Sequence, residues 1–205
     1  MKNYQKTFKD WNFRHDMSER VFIIHGWSGS PDEPLLKWLR EELESKDIDV
    51  VALKMPETDE PKVNYWINFL AKEVGGIDEG TYFIGHSMGC QAIMRYLEMV
   101  KGNKRAGGAV FIAPWLHLTN LDEDDVSIAK PWLEEINLEN VKRKANEYVA
   151  IFSDNDPFVP LSDAEIFKDK LEAKIIIEKN KGHFSEDDGV LSSKTVLKEV
   201  LGLMK

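Results

Sequence analysis

Gly85-His86-Ser87-Met88-Gly89 sets a serine between two glycines at the spacing G-x-S-x-G. It follows the apolar run Tyr82-Phe83-Ile84 directly and precedes a stretch of helical spacing, the context such a motif requires. A serine on a sharp strand-to-helix turn holds a strained backbone, and side chains two residues to either side would collide, so both flanks must be small. The turn lifts the hydroxyl above the sheet edge at a helix N-terminus, where N–H groups meet developing negative charge. The chemistry expected is nucleophilic attack by Ser87 on an acyl carbon, and it needs a base and a group to orient that base.

Both follow in the chain order Ser, acid, His. Asp156 lies in Phe152-Ser153-Asp154-Asn155-Asp156-Pro157-Phe158-Val159-Pro160, behind one apolar run, and His183 lies in Lys181-Gly182-His183-Phe184, behind the next. Taken singly, Asp156 reads as a turn acid before proline and His183 as a surface histidine. Their joint order and placement assign them as acid and base, with Asp154 as the rival acid. His25-Gly26-Trp27-Ser28-Gly29 ends the first apolar run, where half of an oxyanion hole is expected. The backbone N–H groups of Trp27 and Met88 are the candidate donors, and His25 is read as shaping the loop. His86 is expected to point away from the hydroxyl. His117 reads as a loop histidine, with substrate contact as the alternative, and His15 has no motif around it. Trp115 and Phe158 are candidate pocket residues, joined by Trp132 if its segment folds over.

Six apolar runs must position these groups. They are Val21–Ile24, Val50–Leu53, Tyr82–Ile84, Ala109–Ile112, Tyr148–Phe152 and Ile175–Ile177. Each is continuously apolar, which predicts buried strands covered on both faces, as in a parallel sheet. Between them Leu35, Leu36, Leu39 and Leu43 form a helical stripe behind Pro34. Val63, Trp66, Ile67, Leu70 and Val74 form a second, stopped by Gly75-Gly76, and Ala92, Ile93, Tyr96, Leu97 and Val100 a third. Ser162 and Glu165 have capping-box spacing, and Leu197, Val200 and Leu201 predict a final helix. The alternation predicts an α/β fold. One connection, 114–147, is long; a helix over 139–145 fills part of it, and the rest reads as a small lid-like excursion.

The 205 residues fit one domain, expected over 21–205, with residues 1–20 an N-terminal segment of no assigned role. With 27 Lys+Arg against 36 Asp+Glu, the net charge of −9 repels phosphate backbones and anionic membranes. Neither nucleic acid nor membrane is an expected partner. A hydrophobic content of 42% supports a sizeable core and excludes disorder. The single cysteine, Cys90, cannot form an internal disulfide and reads as a buried filler. With no signal-peptide core near the start, a cytoplasmic location is expected. Asp122 to Asp125 lack the spacing of a calcium loop and read as solvated surface. No Walker or dinucleotide glycine motif occurs.

These motifs together resemble the small serine hydrolase family typified by retinoblastoma-binding protein nine, within the α/β-hydrolase fold. The resemblance runs from Val21 to the end of the chain. It rests on Gly85-His86-Ser87-Met88-Gly89, Ala113-Pro114-Trp115, Ala129-Lys130-Pro131-Trp132, Asp154 to Pro160, and Gly182-His183-Phe184. It implies Ser87 as nucleophile, Asp156 as acid and His183 as base. No L-x-C-x-E motif is present, since Cys90 sits in Met88-Gly89-Cys90-Gln91-Ala92, so retinoblastoma-type binding is not expected. The fold expected is a three-layer α/β/α sandwich of about six parallel strands in the order 2-1-3-4-5-6. The function expected is a serine esterase acting on small acyl esters or activated amides, with no metal or cofactor. The competing expectations are an interaction module on a hydrolase scaffold and a flavodoxin-like electron carrier.

Overall fold

The computed structural model describes residues 19–205, so His15 and most of the N-terminal segment lie outside the described residues. Six parallel strands form one sheet: β1 (Arg20–Ile24), β2 (Asp49–Leu53), β3 (Thr81–His86), β4 (Ala106–Ile112), β5 (Ala145–Ser153) and β6 (Lys174–Glu178). Their spatial order is β2-β1-β3-β4-β5-β6, as the sequence predicts. Parallel neighbours need crossover connections, and helices supply them.

Alternate strand residues feed two separate cores. Phe22, Ile24, Phe83 and Phe111 pack on one face against α2 (Val63–Val74) and α3 (Met88–Met99), with α5 (Leu138–Lys142) and α6 (Ser162–Leu171) beside them. Val21, Ile23, Ile84 and Val110 pack on the other against α1 (Pro34–Glu44) and α7 (Lys194–Leu203). The leucine stripe expected in α1 is buried throughout, and α2 ends at Gly75 with φ of 70°. Because α1 and α3 leave for opposite faces, the loops after β1 and β3 diverge and open a crevice at the strands' carboxyl ends.

Three expectations need correction. The two edge strands are not fully covered: Val50 to Ala52 in β2 are half-buried and Ile177 in β6 is 52% exposed, because among the described residues no strand pairs beyond either edge. The helix expected over 139–145 ends at Lys142, and β5 begins at Ala145 rather than near Tyr148. The reason is register: Ala145 pairs with Ala106 and Glu147 with Gly108, and the exposed Asn146 and Glu147 conceal this strand start from a hydropathy reading. Ser162 makes no capping bond; Leu161 occupies the N-cap, and Ser193 instead caps α7 by accepting from the N–H of Val196. Asp122, Glu123 and Asp124 are exposed, the solvated surface expected of the acidic run. Asp122 stands at the N-cap position of α4 (Glu123–Ala129) without a side-chain capping bond, and the acidic first turn complements the helix N-terminus.

The excursion is tied to the body at its far end. Trp132 is fully buried against Trp66, and its indole N–H donates to the carbonyl of Pro61. The Arg95 guanidinium donates to the carbonyls of Trp132 and Glu134, at 2.8 and 2.7 Å, and burial lowers its pKa. Trp132 therefore belongs to the core and not to the pocket. No helix of the described residues is long and apolar enough to cross a membrane.

Candidate active site

Ser87 joins β3 to α3 with φ of 51° and ψ of −116°, a backbone state rare for any residue with a side chain. Its N–H continues the sheet ladder to the carbonyl of Ile112, and its carbonyl accepts from the N–H of Cys90. The flanking glycines are required sterically. A Cβ on Gly89 would lie 2.2 Å from the carbonyl oxygen of Ile24, and one on Gly85 would lie 2.8 Å from the N of Cys90.

The loops after β5 and β6 bring the other two predicted residues to this hydroxyl. His183 Nε2 is 2.8 Å from Ser87 Oγ, and His183 Nδ1 is 2.8 Å from Asp156 Oδ2. The second Asp156 oxygen accepts from the N–H groups of Phe158 and Val159, which hold the carboxylate in place. Asp154 points elsewhere: its Oδ1 accepts from the N–H of Asn180 and ties the two loops together. Asn155 does the same through Oδ1, accepting from the N–H of Gly182 and the hydroxyl of Ser153.

Ser87 and His183 open into a cavity of about 590 Å³ whose wall includes Trp27, Met88, Trp115 and Phe158. Among the described residues neither the Trp27 nor the Met88 N–H donates to a protein acceptor. Leu121, Asp125 and Ile128 bring the near end of the excursion to the same wall. Five carboxylates also border the cavity, those of Glu33, Asp59, Asp125, Glu186 and Asp187; no lysine or arginine does so among the described residues. Burial raises the pKa of Glu33, opposed by a hydrogen bond from the N–H of Ser30 and by the proximity of His183.

The remaining histidines divide by partner. His25 is buried; its Nε2 accepts from the N–H of Met55, so Nδ1–H donates to the carbonyl of Gly26 and braces the loop, as expected. Burial lowers its pKa. The exposed His117 ring pairs at 2.6 Å with the fully buried Asp163, which also accepts from the N–H groups of Leu116 and His117. Asp163 therefore anchors the segment that carries Trp115, a role no sequence pattern indicates. His86 makes no hydrogen bond to the Ser87 hydroxyl; its ring turns to the carbonyl of His183. Cys90 is fully buried, and burial raises its pKa. Among the described residues no cluster of three or more His, Cys, Asp or Glu side chains is placed to hold a metal ion.

Asp188 is a further residue the motif reading misses. Its Oδ2 accepts from the N–H of His183 and from both the N–H and hydroxyl of Ser185. Burial pushes its pKa up, but these donors outweigh burial and lower it overall. An acid three residues past a serine in a turn, Ser185 to Asp188, is the local signal that could have found it.

Comparison with known proteins agrees with this architecture. The chain is 29% identical to the Bacillus subtilis protein YdeN over 177 residues, covering 86% of this chain and 91% of that protein. It is 26% identical to serine hydrolase RBBP9 of Rattus norvegicus, covering 80% of this chain and 81% of that protein. The crystal structure of the B. subtilis ydeN gene product superposes with a TM-score of 0.83 at 24% identity, covering 91% of this chain and 99% of that one. The serine hydrolase family model matches residues 21–200, and the chain belongs to that family.

Proposed function

We propose that this chain hydrolyses small carboxylic esters or activated amides through an acyl-enzyme on Ser87, with His183 as base and Asp156 as its orienting acid. The observation that carries this reading is the unbroken chain of two 2.8 Å contacts from Ser87 Oγ through His183 to Asp156, opening on the cavity. A carboxylate can only accept, so Asp156 places the proton on His183 Nδ1 and leaves the Nε2 lone pair facing the hydroxyl.

In the first step Ser87 Oγ bonds to the substrate carbonyl carbon while its proton passes to His183 Nε2. The carbonyl oxygen becomes an oxyanion, held by the N–H groups of Trp27 and Met88. As the tetrahedral centre collapses, the bond to the leaving oxygen or nitrogen breaks, and His183 Nε2–H protonates that atom. Water then attacks the acyl carbon, gives one proton to His183, and releases the acid as Ser87 Oγ regains its hydrogen. Asp156 stabilises the imidazolium in both halves without taking up the proton. Phe158, 38% exposed, offers apolar surface to the acyl or leaving group, and the buried Trp115 backs the wall behind it. The carboxylates around the cavity favour neutral or cationic substrates over anionic ones.

A fluorophosphonate probe followed by intact mass measurement tests this reading. One probe adduct on the wild-type chain, absent from Ser87→Ala, is expected. Wild-type protein that never labels, or Ser87→Ala that labels equally, removes it. A panel of short to medium p-nitrophenyl esters then reports the acyl length that the cavity accepts.

A further inference from the structure

His86 has no step in the reaction above, yet it is buried beside it. Its Nε2 lies 2.8 Å from the carbonyl oxygen of His183, 97 residues away in sequence. A carbonyl only accepts, so Nε2 carries the hydrogen, and in the neutral ring Nδ1 holds the lone pair. The two imidazoles lie with centroids 5.3 Å apart. On the other side of His183, its N–H donates to Asp188 Oδ2 at 2.8 Å. Every polar group of His183 therefore has an assigned partner: the ring meets Ser87 and Asp156, and the main chain meets His86 and Asp188.

We propose that His86 is a positioning residue for the hydrolysis: its Nε2–H fixes the main chain of His183 at the place where that ring reaches Ser87 Oγ. This rests on the reading of Ser87 and His183 as nucleophile and base. The geometric reason lies in the covalent chain. His86 and Ser87 are consecutive, with Cα atoms about 3.8 Å apart across the peptide. The loop carrying His183 follows β6, three strands away from β3. A bond from His86 to that loop references the base to the same turn that carries the hydroxyl. Misplacement of reacting groups by about 1 Å can cost about 10²-fold in rate, which makes such a reference valuable.

The protonation state of His86 fits the role. Burial, with the like charge of His183 and of His25 beyond it, lowers its pKa to about 4, against the hydrogen bond to His183 and the Asp156 carboxylate, which act to raise it. Glu33, at the start of α1, faces it as well, with Oε2 3.9 Å from Nδ1. Neutral His86 donates its hydrogen bond without placing a second cation beside His183 when that ring becomes imidazolium.

The test compares His86→Gln, His86→Asn and His86→Phe in the full chain. The amide nitrogen of glutamine reaches the position of Nε2, asparagine falls short of it, and phenylalanine fills the space without a donor. Activity is read as kcat and KM on a p-nitrophenyl ester and as the rate of fluorophosphonate labelling, with a urea midpoint for each variant. The expected result is a fall in kcat of about 10²-fold for His86→Phe with KM within about threefold, and recovery to within about fivefold in His86→Gln. If His86→Phe does not fold, the amide pair decides, with Gln at least about tenfold faster than Asn supporting the role. Equal rates for Gln and Asn, or wild-type kcat in folded His86→Phe, overturn it. Failure of the wild-type chain to label at all would instead overturn the serine hydrolysis itself, and the positioning role with it.

Discussion

Replacing Asp156 by asparagine should abolish most turnover while leaving the fold nearly intact, and the geometry says why. Oδ1 of Asp156 accepts from the N–H groups of Phe158 and Val159 at 2.9 and 3.1 Å. An amide oxygen in the same place keeps both bonds, so the turn survives and the stability loss should stay below about 1 kcal/mol. The other atom becomes an NH₂ group facing His183 Nδ1. It can only donate, so Nδ1 must accept and the ring hydrogen moves to Nε2. Nε2–H then points at Ser87 Oγ and cannot take its proton. The expected loss in kcat is about 10⁴-fold, or about 5 kcal/mol of transition-state stabilisation, the scale seen when a tautomer is inverted in this way. Asp154→Asn is the matched control, because its oxygen only accepts from the N–H of Asn180 at an exposed site. That variant should remain within about twofold of wild type. The assay is kcat and KM on the best p-nitrophenyl ester, with urea unfolding of each protein. Asp156→Asn retaining more than about a tenth of the wild-type kcat, or Asp154→Asn losing as much, would refute the assignment.

Asp163→Ala leaves the N–H groups of Leu116 and His117 without their acceptor and strips the His117 ring of its partner. A stability loss of about 3–5 kcal/mol by urea unfolding is expected, and a loss under about 1 kcal/mol would show that the anchor is dispensable. The carboxylates around the cavity predict that a choline ester outpaces its uncharged 3,3-dimethylbutyl isostere, with an advantage that shrinks as salt rises. An equal or faster neutral ester at low salt contradicts this. His86 links stability to pH, because its pKa falls from 6.5 to about 4 on folding. The neutral ring's contribution is complete above pH 6.5 and is lost as pH falls toward 4, since the unfolded chain takes up a proton that the folded one excludes; about 3 kcal/mol is at stake. Melting temperature should therefore fall less steeply over that window in His86→Gln than in wild type, and parallel profiles would refute the linkage.

Apolar runs separated by helical stripes encode the sheet and its flanking helices because strand and helix periods are local properties of neighbouring residues. The spacing of Gly85, Ser87 and Gly89 is local in the same sense, since the turn itself excludes any side chain at the flanks. The order of Ser87, Asp156 and His183 was legible because a parallel sheet delivers successive loops to one edge. That they meet at 2.8 Å, and that Asp156 rather than Asp154 faces the ring, depends on how two loops pack together.

Other features had no local signature. Ser162 and Glu165 carry capping spacing, yet no cap forms, and neighbouring Asp163 is directed to the main chain of a segment some 46 residues away. Trp132 could be placed neither in the pocket nor in the core until α2 and Pro61 enclosed it. His86 is one residue from the serine, but what its ring does is set by His183 across the sheet. The sequence alone determined the strands, the helices, the strained serine and the order of the candidate groups, because these follow from short-range periodicity and sterics. Only the tertiary structure decided which acid faces His183, what holds that ring in place and which aromatic rings line the cavity, because those contacts join distant segments whose meeting no local spacing records.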